Sequence, residues 1–291
     1  MKTASFLLCI VMAAGRQKGR FMAKAYEELT FSDDFMFCKV LSTDLELCRD
    51  ILQLILDVKI REVRLSEAQK TVEITSGGRG IRFDVYVEDE NNTVFDLEMQ
   101  RRDYDDLPKR SRYYQGMIDL NLVGRGAYFT DLKRSFVIFV CLADHFKAGL
   151  PMYTFENVCL EDPRIRLGDE TTKVFLNAAS KADNIPPQLK EFFDYLLTQK
   201  PAGELTSRID RDVRSVASNE KWRLEYMTLE MKLREEREEG REEGGTILLE
   251  VLKALRLGKS EEFLREKGYS LKMISMAKEY LKENEGLFVS E

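Results

Sequence analysis

The sequence predicts a mixed α+β core followed by a helical tail, and three observations carry that prediction. From Ile81 to Gln100 apolar and polar residues alternate with period two, the signature of half-buried strands. Ser135 to Leu142 is an almost unbroken apolar run of strand length, as in a strand buried on both faces. From Pro187 to the end the apolar residues recur at helical spacing. With 291 residues, 44% hydrophobic and 33% charged, the chain has apolar material for one large domain or one domain plus appendages, which excludes a disordered or collagen-like protein.

Taken in order, Lys2 followed by the apolar stretch Ala4 to Ala14 has the shape of a short signal peptide, too short to span a bilayer. Gly15-Arg-Gln-Lys-Gly-Arg20 makes a poor cleavage flank, and Met22-Ala-Lys-Ala-Tyr-Glu-Glu has the look of a cytosolic protein's opening, so we read an upstream extension and a cytoplasmic protein. Ser32-Asp33-Asp34 precedes one or two helices that reach about Asp57. Ile60, Val63 and Leu65 suggest a strand, and Gly77 to Gly80 a turn. Strands follow at Ile81–Glu90 and Thr93–Gln100, a helix from about Asp105 to Leu122, and strands at Ser135–Leu142, Met152–Cys159 and Thr172–Leu176. Between Glu225 and Glu243 eight Glu face four basic residues, which predicts a solvated helix or linker. Three short helices are expected beyond it, at Ile247–Leu257, Ser260–Lys267 and Ser270–Leu281, with Ser260 and Ser270 as N-caps and Gly258 and Gly268 as stops.

Composition narrows the chemistry. The 45 basic and 51 acidic residues give a net charge of −6, so a nucleic-acid partner must be met by a local basic patch. The single histidine, His145, has no ligand-spaced neighbour and is read as a loop residue, which leaves carboxylates, lysines and hydroxyls to do any chemistry. Five widely spaced cysteines without a Cys-x-x-Cys pair read as buried small hydrophobes in a reducing compartment. Gly77-Gly-Arg-Gly80 lacks the Lys-Ser/Thr of a phosphate-binding loop.

The hairpin around Asn91 holds the one constellation suited to catalysis. Cross-strand partners in an antiparallel pair share a face, and their residue numbers have a constant sum. A two-residue loop gives about 183 and sets Asp84 against Met99, a carboxylate among apolar groups. A three-residue loop centred on Asn91 gives about 182 and sets Asp84 against Glu98, Arg82 against Gln100 and Tyr86 against Asp96, keeping every face consistent. Two adjacent carboxylates repel unless a cation sits between them, and hard Mg²⁺ takes one or two carboxylates plus water. Gln100 faces the same pocket and could orient an attacking water. Acidic residues on the exposed face of an amphipathic hairpin are equally an ordinary surface feature.

Asp84 in Arg-Phe-Asp-Val-Tyr-Val, then Phe-Asp-Leu-Glu-Met-Gln-Arg101 and Lys109-Arg-Ser-Arg-Tyr-Tyr-Gln-Gly-Met117, closely resembles the PD-(D/E)XK nuclease family of transposases, also called recombination-promoting nucleases. The likeness extends to Asp34-Phe-Met-Phe, to Leu150-Pro-Met-Tyr-Thr-Phe155 and to the Glu/Arg/Gly-rich tail. It implies a restriction-endonuclease-like mixed sheet flanked by helices, with a helical C-terminal tail. It also implies a Mg²⁺- or Mn²⁺-dependent DNA endonuclease linked to recombination or transposition. By resemblance Asp84 and Glu98 bind the metal, and Gln100 stands in the usual lysine position, as in this branch of the family. The metal is then expected to supply all of the local positive charge. Cys38, where the family often has Lys, leaves the role of Asp34 open. The alternative is a weak or inactive copy that binds DNA or assembles without cutting it.

A DNA path is expected along Arg101 to Arg134, where eight basic residues and five Asp give a local +3. The candidate contacts are Arg101, Arg102, Lys109, Arg110, Arg112 and Tyr113. DNA is the expected partner; a homo-oligomer is compatible with the sequence, and no membrane partner is expected. The expected division is an N-terminal extension 1–28, a nuclease-like domain 29–220, a charged helix or linker 221–245 and a short helical region 246–291.

Overall fold

A computed structural model of the chain describes residues 24–65, 84–122 and 128–283. Arg82, the turn at Gly77 to Gly80, Cys9 and the signal-like segment lie outside the described residues. The chain divides into two compact units, 24–223 and a second that includes Leu224 onward.

In the first unit, helices α1 (Asp34–Thr43) and α2 (Leu45–Leu56) lead to β1 (Val63–Leu65), then the hairpin β2 (Val85–Asp89) and β3 (Val94–Gln100). Helix α3 (Leu107–Leu122) connects to β4 (Ser135–Cys141), followed by β5 (Met152–Phe155), β6 (Thr171–Asn177), α4 (Pro187–Thr198) and α5 (Glu204–Ala217). The six strands form one sheet in the order β1-β2-β3-β4-β6-β5. β3, β4 and β6 are mutually parallel and the outer strands antiparallel, so the sheet is mixed. β4 is buried along its whole length, as its unbroken apolar run requires of a central parallel strand.

The hairpin takes the three-residue loop. Tyr86 pairs with Asp96 and Glu88 with Val94. Asp89 folds the turn: its carboxylate accepts the Asn91 and Thr93 N–H groups at 2.8 and 2.7 Å, and Asn92 takes φ 61°. The strand expected at Met152–Cys159 is shorter than the sequence pattern suggests: pairing with β6 stops at Phe155, and Val158 makes only an isolated bridge to Arg166.

α3 covers one face of the sheet. Its Leu107, Tyr114, Met117 and Ile118 join Tyr86, Val94, Val137, Phe139, Cys141, Tyr153 and Phe175 in one apolar cluster. Phe139 and Phe175, adjacent in register, stack at 5.3 Å. Gln115 anchors the helix by donating to Ser135 Oγ at 2.8 Å. α1 contacts β2 and β3 and packs with α2 and α5. Since α3 takes the face bearing Asp96, α1 takes the face bearing Phe95, Leu97 and Met99. Both faces of β3 are therefore buried, and the polar side of the hairpin is not the solvent-exposed surface an isolated amphipathic hairpin would present.

Of the cysteines, Cys48 and Cys141 are buried and behave as small hydrophobes, their thiols pushed up to about 12 chiefly by burial. Cys38 and Cys159 are partly exposed, which corrects the expectation of uniform burial.

The remainder of the chain is helical: α6 (Glu220–Arg256), α7 (Glu261–Glu266) and α8 (Leu271–Glu283). Ile247 to Arg256 is the end of the 37-residue α6 and not a separate short helix. Gly240, Gly244 and Gly245 do not break it, since each glycine lowers helix propensity by only about 1 kcal/mol. Ser260 and Ser270 cap the next two helices, each accepting an N–H at 3.2 Å, and Gly258 and Gly268 turn with φ 74° and 89°. Val251, Leu252, Leu264, Ile274 and Ala277 form this unit's apolar cluster. Among the described residues no helix is long and apolar enough to cross a membrane.

Candidate active site

The site forms where β2 begins and β3 ends. Continuing the register from Val85 opposite Leu97 puts Asp84 opposite Glu98. Two side-chain bonds lock that juncture: the Asp84 N–H donates to Glu98 Oε1 at 3.0 Å, and the Met99 N–H donates to Asp84 Oδ2 at 3.0 Å. Each carboxylate is thus oriented by the backbone of the opposite strand. Asp96, Glu98 and Gln100 alternate along one face of β3 and are 0%, 2% and 6% exposed.

Asp96 is the group the sequence reading passed over. Among the described residues no N–H or hydroxyl group donates to either of its carboxyl oxygens, and its polar neighbour on the strand is the Glu98 carboxyl, which it can meet only through a proton. Burial, and then the charge of Asp84, hold Asp96 well above the usual carboxylate range; a proton shared with Glu98 and the charge of Arg110 oppose this only in part. Glu98 is raised likewise, first by burial and then by Asp84 and Asp96, against the Asp84 N–H bond and Arg110. The parity that puts Glu98 and Gln100 on one face puts Asp96 there too, and that was the available signal.

Arg110 brings the cation. Its Nη1 donates to Gln100 Oε1 at 3.0 Å and its Nη2 to the Tyr114 hydroxyl at 3.1 Å. Its guanidinium lies over the rings of Tyr114 and Phe139, 5.6 and 5.9 Å from their centroids. Desolvation works against its charge, but Tyr114 and the Glu98 carboxylate outweigh it and keep the guanidinium ionised. The expectation that all local positive charge comes from a metal is therefore corrected: the fold places an arginine beside Gln100.

The other sequence candidates divide into two groups. Asp34 opens α1, and its carboxyl feels the charges of both Arg101 and Arg110; desolvation, with Asp33, raises it above its ordinary value against their pull. Arg101 pairs with Asp33, which also accepts Lys24 Nζ, the Thr30 N–H and the Thr30 hydroxyl at 2.8 Å each. Burial alone would raise Asp33, and these bonds hold it below its ordinary range. Arg102, Lys109, Arg112 and Tyr113 are exposed, the last three on the outward face of α3 and apart from the carboxylates. Arg110 points inward. His145 lies in the loop after β4, its Nδ1 2.6 Å from Asp103.

The donor set is made of hard oxygens, which suits Mg²⁺ or Mn²⁺ better than zinc or copper. The half-buried Asp84 carboxylate facing the buried Glu98, with the buried Asp96 carboxyl beside them, makes a cluster of acidic oxygens that Arg110 alone does not balance; such a site fits a divalent cation. Among the described residues no group of three or more His, Cys, Asp or Glu side chains converges as an all-protein cage would.

A family model described as PD-(D/E)XK nuclease family transposase matches residues 32–181. The chain belongs to this family. The match takes in Asp34, the hairpin with Asp84, Glu98 and Gln100, and α3 with Arg110, and it ends before α4. Comparisons with curated proteins and with solved structures give no match. For a PD-(D/E)XK nuclease the mixed six-stranded sheet flanked by helices is the expected fold, and DNA is the substrate class the family implies.

Proposed function

We propose that this PD-(D/E)XK protein is a divalent-metal-dependent DNA endonuclease that hydrolyses phosphodiester bonds, serving recombination or transposition. The observation that carries the reading is the locked pair Asp84 and Glu98, joined through each other's backbones at the end of a buried strand with the buried Asp96 carboxyl beside them. Asp84 and Glu98 would hold Mg²⁺ or Mn²⁺. The cation, when bound, supplies an attacking water acidified toward neutral pH and Lewis-acid stabilisation of phosphate charge. Gln100 presents its amide to the reacting water or phosphate. Lys109, Arg112 and Tyr113, with Arg102 from the loop before them, offer phosphate contacts along the outward side of α3.

A DNA-binding protein that no longer cuts is the second reading, and Gln100 favours it, since a neutral amide stands where a lysine would give both charge and donor. Incubating purified protein with supercoiled plasmid, with Mg²⁺, with Mn²⁺ and with EDTA, separates the two. The nuclease reading expects nicked or linear product with metal alone, together with Mn²⁺ binding that Asp84→Ala abolishes. Intact plasmid under all three conditions would leave the binding reading standing.

A further inference from the structure

We propose that Arg110 is the positioning residue of the active site, fixing the Gln100 amide and supplying the positive charge that Gln100 lacks. The inference rests on the nuclease reading and adds a residue to it. A glutamine amide is ambiguous, with an acceptor at one end and a donor at the other. An arginine has only donors, so the 3.0 Å bond from Arg110 Nη1 allows one orientation: Oε1 toward the guanidinium. The amide hydrogens on Nε2 are then the end offered to the water or phosphate at the metal.

The guanidinium is itself held on three sides, by the Tyr114 hydroxyl at 3.1 Å and by the faces of Tyr114 and Phe139. Phe139 is in turn stacked on Phe175 in the sheet. Half-buried and fixed this way, the charge acts on Glu98 through a medium of lower dielectric than water, where it is worth more than an exposed lysine. Two side chains, one neutral donor and one cation behind it, together provide what a single lysine provides elsewhere. Helical spacing supports the assignment: Leu107, Arg110, Tyr114 and Met117 share the inward stripe of α3, so Arg110 occupies a position where a surface arginine would not be expected.

A double-mutant cycle on plasmid cleavage tests this, with Arg110→Gln, Gln100→Lys and the pair combined, alongside Mn²⁺ affinity for each protein. Arg110→Gln is expected to lower kcat about 100-fold while KM for DNA and the Mn²⁺ dissociation constant stay within about 3-fold. In the Gln100→Lys background the same change should cost at least about 10-fold less, because lysine brings its own charge and donor. Should Arg110→Gln fail to fold, Arg110→Lys keeps the charge, and most of kcat should survive in it; a 100-fold loss there would overturn the proposal. Equal losses in both backgrounds would make Arg110 a structural strut, and a raised KM at unchanged kcat would make it a DNA contact; either overturns the proposal. A wild type that cuts no plasmid with either metal overturns the nuclease reading itself, and the Arg110 role with it, before any variant is compared.

Discussion

Asp96 sits fully buried with no N–H or hydroxyl donor on either oxygen among the described residues, a position that charge makes expensive and a proton or cation makes tolerable. The consequence for pH can be signed. Asp96 is raised by burial and then by the charge of Asp84, and Glu98 by burial and then by the charges of Asp84 and Asp96, with only Arg110 and local hydrogen bonds opposing. The native protein therefore binds protons that the unfolded chain has already released. The stability these groups contribute is complete below the ordinary carboxylate value of about 4 and is lost as pH rises from there through the raised folded value. Metal-free Asp96→Asn should match the wild type near pH 4 and exceed it by about 1–3 kcal/mol at pH 8, about 2–4 °C in Tm per kcal/mol. Thermal melts of both proteins across that range check this, and a gap independent of pH would mean that Asp96 is not the titrating group. Mn²⁺ should stabilise the wild type more strongly at pH 8 than at pH 5, since fewer protons then compete for the carboxylates.

At the scale of the element, α3 has two jobs divided by helical period. Its inward stripe roofs the site, and Met117→Ala, removing a side chain that is 1% exposed, should destabilise the protein by about 2–4 kcal/mol in chemical denaturation. Its outward face carries Lys109, Arg112 and Tyr113. Replacing Lys109 and Arg112 with Ala should weaken DNA binding across all sequences and flatten the log-affinity against log-salt slope by about 2, with Mn²⁺ affinity untouched. An unchanged slope would remove α3 from the DNA path. The hairpin was legible in the sequence because strand period and loop length together allow only one register that keeps Asp84 facing Glu98. The strand at Ser135 was legible from its apolar run, and the one expected at Thr172–Leu176 forms as Thr171–Asn177. The burial of the polar face was not, because nothing in β2 or β3 tells that α3 will return over it. The inward turn of Arg110 was hidden by its neighbours: in Lys109-Arg-Ser-Arg112 three cations look alike until the helix is phased on Leu107 and Tyr114. Asp96 was legible by parity alone and went unused because two carboxylates already sufficed for a metal.

On the scale of the whole molecule, the site depends on elements that never touch it. Arg208 of α5 bonds both oxygens of Asp44 at 2.6 and 2.7 Å and Asp50 at 3.0 Å, tying α5 to the junction of α1 and α2. Asp44 also caps α2 through the Leu47 N–H at 2.9 Å. Arg208→Met should cost about 1–3 kcal/mol, a figure discounted for the partial exposure of these groups, and should lower kcat only by lowering the folded fraction. The sequence placed the compositional break near Lys221, and the chain divides into its two units between Arg223 and Leu224. The charged repeats were read as a linker or helix and short helices were expected after them. α6 runs unbroken through both: opposite charges at i,i+4 spacing, such as Glu230 with Arg234 and Arg234 with Glu238, support a helix that its three glycines do not break.

The central claim, that Glu98 holds the metal for phosphodiester hydrolysis, is tested most directly by plasmid cleavage in Mg²⁺ with wild type and Glu98→Gln side by side. The substitution keeps side-chain volume and removes one ligand charge. The wild type is expected to nick the plasmid only with metal, and cleavage by Glu98→Gln, folded and still bound to DNA, to fall by at least about 100-fold. Cleavage undiminished in Glu98→Gln would place the chemistry elsewhere and contradict the mechanism.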